Sequence, residues 1–505
     1  MKRFLFWLLA AALLLVLFFF GLNLFDSKPA PGAAAVKEDF AALAANLQPG
    51  NGFFIVWGFA EPPGSEPQAA EYRRGLEELF ASRAGNYLAG SPYRQWLARL
   101  NAAAARYWSG ATFYFPLRQG EDVADHFTAR RDLLAEQQRR FAPLQSRFHR
   151  LLDAGEIMDF TPLGRECPAR SLQLANHAAK LFSAGRVLAA LDGRWLEAAN
   201  GLLQELEAGL RLIAGSRTIQ VNALGRALVE LALRSLASLL NRRECPPACV
   251  RLVLERVSDR PIAHFGTAAA RDFHWRSFRA SVIRIKNERI VDPFLLKDFF
   301  REPAAFYALE RFVAISGPRI FTAAHALAAF FLKENETSAM MRDYWDGIAR
   351  LERVPPWQWG GAANPAAKRG RGPGPAAPLW WLRNPLGKMM VRSAVPFHWP
   401  IVRNFVQRGH ETKARYDLLR VLARARLEAP RGEGLDEAGL LRLLAGADER
   451  DPYSGRPFLF SRARQMIYSI GADRVDDGGR EQPELWRDSD IAVPIRFVSE
   501  EDVRR

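Results

Sequence analysis

Residues 169–240 read ARSLQLANHAAKLFSAGRVLAALDGRWLEAANGLLQELEAGLRLIAGSRTIQVNALGRALVELALRSLASLL. Apolar side chains recur there at three- and four-residue steps, which is the period of an amphipathic helix. The spacing predicts one helix over Ala169–Leu191, a second over Leu196–Ile213 and a third over Ile219–Leu240. Asp192-Gly193-Arg194-Trp195 supplies a turn between the first two, because glycine accepts backbone angles that stop a helix. Ala, Leu, Arg and Glu dominate the chain as a whole, and Val-Ile-Thr alternation is scarce. The expected class is mostly α.

Working outward, Cys245-Pro-Pro-Ala-Cys249 breaks the array before Val250–Val257. Glu121 to Leu152 reads as one long amphipathic helix that Pro143 should kink or split. Gly52–Phe59 is a compact run of aromatic and β-branched residues, expected as a short buried strand or an apolar loop. Arg271–Lys333 continues helical, with Phe312–Leu332 expected as a buried core helix because Pro318, Arg319 and His325 interrupt it. A Pro, Gly and basic stretch over 354–378 cannot build a core and reads as a linker. Beyond it come a helical connector over 379–430, including Ile401–Leu427, and a small terminal module over 431–505. The segment Ala184–Leu203, with Ala189, Ala190, Ala198 and Ala199 beside its turn, resembles a tetratricopeptide helical hairpin.

The N-terminal run Phe4–Phe25, FLFWLLAAALLLVLFFFGLNLF, is long enough as a helix to cross a hydrocarbon core roughly 30 Å thick. Lys2 and Arg3 precede it and Asp26 closes it. Residues 1–25 are therefore expected as an uncleaved signal anchor and 26–50 as a tether. The positive-inside rule puts the N-terminus in the cytoplasm and the helical domain over 51–353 in the periplasm, outside an inner membrane. The net charge of +15 has no nucleic acid to meet there. Anionic lipid headgroups beside the anchor are its natural counter-charge, and an envelope protein is the expected partner.

Three cysteines, Cys167, Cys245 and Cys249, are disulfide candidates in an oxidising compartment. Cys245 and Cys249 can bridge locally, or either can pair with Cys167. None of the eight histidines sits in a zinc-protease spacing, and no two share an i, i+4 face. There is no nucleophile elbow, phosphate loop or dinucleotide fingerprint. Glu205 and Glu207 are expected on a solvated face, and Asp272–Arg276 is the densest polar-aromatic cluster. Nothing here specifies catalysis. The alternative to a binding role is an exported hydrolase acting on an envelope polymer or lipid, with its site in the helical domain.

The last stretch changes character. Asp451-Pro-Tyr-Ser-Gly-Arg-Pro-Phe458 is a turn leading into a strand at Phe458–Phe460. Gln465–Ile470 is a second strand, Gly471–Gly479 an acidic glycine loop, and Ile491–Val498 a third strand after Asp488-Ser489-Asp490. A carboxylate-rich loop offers the hard oxygen ligands that suit Ca²⁺. These motifs, in this order, resemble the C-terminal region of the major pseudopilins of type II secretion, a short sheet with a calcium-binding loop. The resemblance implies Asp473, Asp488 and Asp490 as calcium ligands, with Asp476 and Asp477 as further carboxylates nearby. Lys2-Arg3 runs straight into the apolar helix without the processing site of that family, so the likeness is confined to the tail. The whole layout is similar to uncharacterised envelope proteins of Gram-negative bacteria that carry an anchor, a helical region and this tail.

Overall fold

The computed structural model describes residues 50–65, 92–109, 122–161, 168–258, 260–287, 332–359, 383–429, 435–480 and 490–496, together with Leu14, Phe18, Gly21 and Asp26. The described chain is mostly helical, with one small antiparallel sheet near its end. Among the described residues no helix is long and apolar enough to cross a membrane. The expected anchor, Phe4–Phe25, lies outside them apart from Leu14, Phe18 and Gly21, which are helical. Most of the expected linker, most of Phe312–Leu332, Cys167 and Asp488 also lie outside.

The core is built on the opening stretch. Helices α6 (Ala169–Leu191), α7 (Trp195–Gly215) and α8 (Ile219–Leu240) follow the predicted boundaries closely. The turn between α6 and α7 works as the sequence suggests. Gly193 takes φ +91°, and the amides of Gly193 and Arg194 bond back to the carbonyls of Ala190 (2.8 Å) and Ala189 (2.9 Å). α7 and α8 pack backbone to backbone at Gly209 and Gly225, where a Cβ on either would lie 2.7 Å from the other's carbonyl oxygen. Thr218 caps α8 by accepting the Val221 amide at 3.3 Å. The buried Asp159 carboxylate accepts the amides of Arg217 (3.0 Å) and Thr218 (2.8 Å).

Two expectations on the N-terminal side are corrected. Gly52–Phe59 is neither strand nor loop: Phe53–Gly58 forms a short helix, α1. The Asn51 side chain accepts the Phe53 amide at 2.9 Å and the Met158 amide at 2.9 Å, pinning the helix start to a distant segment. Past its other end, the buried Arg147 guanidinium donates to the carbonyls of Phe59 (3.2 Å), Glu61 (2.9 Å) and Pro62 (2.6 Å). A single turn has little stability of its own, so these long-range bonds select it. After α2 (Pro92–Tyr107), the stretch expected as one long helix is three: α3 (Val123–Thr128), α4 (Arg131–Arg140) and α5 (Ala142–Asp153). Pro143 sits in the first turn of α5, where proline is tolerated. The break before α4 has no proline to announce it.

After α9 (Pro247–Arg256), a second helical group forms from α10 (Ala268–Asn287), α11 (Glu334–Arg353) and the first half of α12 (Pro385–Glu428). Trp275, Met341, Tyr344, Trp345, Ile348, Val402 and Val406 make its own apolar cluster. α12 begins well before the expected Ile401 and runs on to the main core, where its second half packs with α8 and α9. After α13 (Glu437–Gly446), β1 (Leu459–Ser461), β2 (Met466–Ser469) and β3 (Ile491–Pro494) form the expected meander in the order β1-β2-β3. Phe460 faces Ile467, and Ile467 faces Val493. The tail shares the main core rather than making one of its own: Tyr453, Phe458, Ile467, Ile491, Val493 and Ile495 are buried in the same cluster as α6–α8. Asn241, at the end of α8, clamps β3 by donating to the Pro494 carbonyl (2.7 Å) and accepting the Arg496 amide (2.9 Å).

Candidate functional site

The sequence points to the acidic loop after β2, and its frame is set by Asp451. That buried carboxylate accepts four hydrogen bonds: the Tyr453 amide (3.0 Å) and Ser469 hydroxyl (2.6 Å) on Oδ1, the Ser454 hydroxyl (2.7 Å) and Ile470 amide (3.4 Å) on Oδ2. Gly455 sits at φ +71°, where a Cβ would lie 2.9 Å from the Trp357 ring. The Asp451-to-Phe458 motif is thus a carboxylate-organised turn packed against Trp357. Asp451 also ties that turn to the end of β2.

The loop itself, Gly471–Arg480, turns on left-handed residues Gly471, Arg474, Gly478 and Gly479. Asp473 Oδ1 accepts the Val475 amide at 3.0 Å. Asp476 Oδ1 accepts the Tyr468 hydroxyl (2.9 Å) and the Gly478 amide (3.0 Å). Asp490, at the foot of β3, is fully buried, and its Oδ2 accepts the Gly479 amide at 2.7 Å. Its other oxygen, Oδ1, has no hydrogen-bond partner among the described residues. Burial pushes the Asp490 carboxyl up to about 6, and the Asp476 and Asp477 carboxylates push the same way, against the backbone amides of Gly479 and Asp477.

Asp476 and Asp477 lie near enough to Asp490 for their charge to raise its pKa. Asp473 turns on its own loop, and Asp488 lies outside the described residues. Among the described residues no three His, Cys, Asp or Glu side chains converge as a metal-holding group. The donors nonetheless fit a hard cation in kind: a buried carboxylate oxygen lacks a hydrogen-bond partner among the described residues, and the charge of two further carboxylates reaches it.

Cys245 and Cys249 are buried free thiols at the start of α9. Cys245 Sγ donates to the Pro246 carbonyl (4.0 Å) and Cys249 Sγ to the Trp195 carbonyl (3.9 Å), and the two thiols act on each other, lowering Cys249 and, with burial, raising Cys245.

Sequence spacing gave no sign of two further groups. Glu205 is not on a solvated face as expected: it is fully buried between α6 and α7, accepting the Ser183 hydroxyl at 2.7 Å. Burial raises its pKa well above the ordinary carboxylic range. Glu207 is partly exposed and pairs with Arg260 at 2.6 Å. The second group lies between α8 and α12. Glu230 pairs with Arg234 (2.5 Å) and Arg415 (3.2 Å). Burial raises Glu411 to about 7. Arg226 is bound to the carbonyls of Phe405 and Phe265, and the His410 ring packs edge-on against Trp359. The expected Asp272–Arg276 cluster resolves into an i, i+4 ion pair at 2.7 Å and a His274 ring stacked on Trp345. Asp417, further along α12, is raised by burial to about 6, and of the arginines around Glu411, Arg226 and Arg415 are committed to internal contacts.

Compared with protein-family models, with curated proteins and with solved structures, the chain matches none.

Proposed function

We propose that the protein is a membrane-anchored helical scaffold on the periplasmic face of an inner membrane. Its C-terminal sheet is a calcium-stabilised element that presents the helical body to an envelope partner. The observation that carries the calcium reading is the buried Asp490 carboxylate, which has an orphaned oxygen and feels the charge of Asp476 and Asp477. Burying an ionised carboxyl beside two others is costly unless a cation shares the site. Asp490, Asp476 and Asp477 would hold the ion, and the ion would cancel their mutual repulsion.

Without calcium the sign is fixed by Asp490. Its folded pKa is about 6 against an ordinary 3.8. Its contribution is therefore complete below pH 3.8 and lost as pH rises through 6. Calcium should abolish that loss. At a hundredfold excess over Kd it should add about 2.7 kcal/mol of stability at pH 7, read as a higher Tm. Identical melting in calcium and in EGTA would sink the calcium reading. The Asp490→Asn variant should melt alike in both.

A further inference from the structure

The second helical group ends in an unusual place. The Asp26 carboxylate, which directly follows the apolar run, accepts the amides of Asn335 (3.0 Å) and Glu336 (3.3 Å). It therefore caps the first turn of α11 with the favourable charge for a helix N-terminus. If Phe4–Phe25 spans the bilayer, as the proposed function holds, the next residue must lie at the membrane–water interface. The first turn of α11 is then held at headgroup depth.

Arg279 of α10 lies at that same level, its Nη2 3.5 Å from Glu334 Oε1. The residue is only 4% exposed, yet Nε and Nη1 have no hydrogen-bond partner among the described residues. Its guanidinium lies 6.0 Å from the centre of the Trp275 ring, and Arg342 flanks that ring at 5.0 Å. Deeper in, Val282, Leu332 and Met390 form a separate apolar cluster. A buried guanidinium with two idle donors is expensive unless an anion meets it. One carboxylate at 3.5 Å does not use those donors.

We propose that this end of the helical group rests on the bilayer surface and that Arg279 seats the phosphate of an anionic phospholipid headgroup. Phosphate is the acceptor that a bilayer supplies at this depth, and guanidinium is the cation best shaped to take it. The Asp26 cap fixes the distance between anchor and seat, so the site reads a lipid of the membrane that the anchor spans. This rests on the anchor reading and adds to it a specific headgroup contact.

The test uses the full-length protein reconstituted in bilayer discs of phosphatidylcholine, with and without phosphatidylglycerol. Lipid retained after gentle detergent release is then counted by native mass spectrometry. Wild type should keep phosphatidylglycerol in preference to phosphatidylcholine. Arg279→Gln should lose that retention roughly tenfold, the scale of one hydrogen bond to a charged group, and Arg279→Lys should keep part of it. Arg392→Gln, an exposed cation further along α12, should retain lipid as wild type does. Equal retention by a folded Arg279→Gln variant would overturn the seat. Should that variant not fold, the wild type decides alone, and no preference for phosphatidylglycerol overturns it. Protection of the wild type by inorganic phosphate, with no lipid retained, would overturn the lipid as the source. Release of the protein by alkaline carbonate would instead overturn the anchor, so the two failures are distinguishable.

Discussion

The helical layer of α6–α8 and the C-terminal meander share one core but are held by opposite means. In the helices, apolar faces fill the interior and the backbones approach until only glycine fits, at Gly209 and Gly225. Glu205, fully buried at the α6–α7 contact, has its pKa raised well above the ordinary range by that burial. In the meander, strands of three and four residues cannot hold themselves. Asp451 holds the turn to β2 through four accepted hydrogen bonds, and Asp490 holds the loop to β3. The difference teaches where charge is tolerated. A carboxylate surrounded by amides and hydroxyls organises a short sheet, whereas Glu205, buried between apolar helix faces with one hydroxyl donor, has its pKa pushed up.

The largest expected effect breaks the meander alone. Asp451→Ala leaves two backbone amides and two hydroxyls without their acceptor, a loss on the order of 3–5 kcal/mol. Limited proteolysis should open the chain within residues 452–480 while α6–α8 remain protected from hydrogen exchange. Simultaneous loss of protection in both regions would show that the two are one cooperative unit. A smaller effect is expected from the helical side. Gly225→Ala places a methyl 2.7 Å from the Gly209 carbonyl oxygen and 2.9 Å from Ile213. Urea unfolding should show a cost of roughly 1–3 kcal/mol, as for other overpacked interiors. An unchanged midpoint would mean that the two helices can part without loss.

The smallest effect concerns Glu205 and has the opposite sign at neutral pH. Its folded pKa lies above the ordinary 4.5. Its contribution is therefore complete below pH 4.5 and declines as pH rises, because the unfolded chain ionises first. Glu205→Gln keeps a partner for Ser183 and removes that slope. Relative to wild type, the variant should gain about 1 kcal/mol between pH 4.5 and one unit above it. Parallel urea midpoints for the two proteins across that window would show that Glu205 ionises in the fold.

Much of this architecture was legible in advance. The apolar period marked α6, α7 and α8, Gly193 marked the turn between the first two, and the turn and glycine loop around them marked the three strands, because each signal is local and strong. The candidate loop was legible as a carboxylate-rich turn. Which carboxylates act on Asp490 was not: the charge of Asp476 and Asp477 reaches it, and Asp473 accepts an amide within its own loop. That depends on the left-handed turns at Arg474 and Gly478 and on the distance from the loop to β3. Glu205 was misread because its neighbours Leu202, Leu203 and Leu206 gave a helix face whose width depends on how many partners surround it.

By itself the sequence determined the helical class, the bounds of the central helices, the strand order of the tail and an apolar run long enough to span a bilayer. Only the tertiary structure decided that Phe53–Gly58 is helical, that Glu205 is buried, that the tail joins the main core, and that Arg279 lies idle beside the helix capped by Asp26. Periodicity records what each segment needs to bury. It does not record which distant carbonyl, carboxylate or guanidinium will meet it, and those encounters fix the short helix, the buried acid and the buried guanidinium.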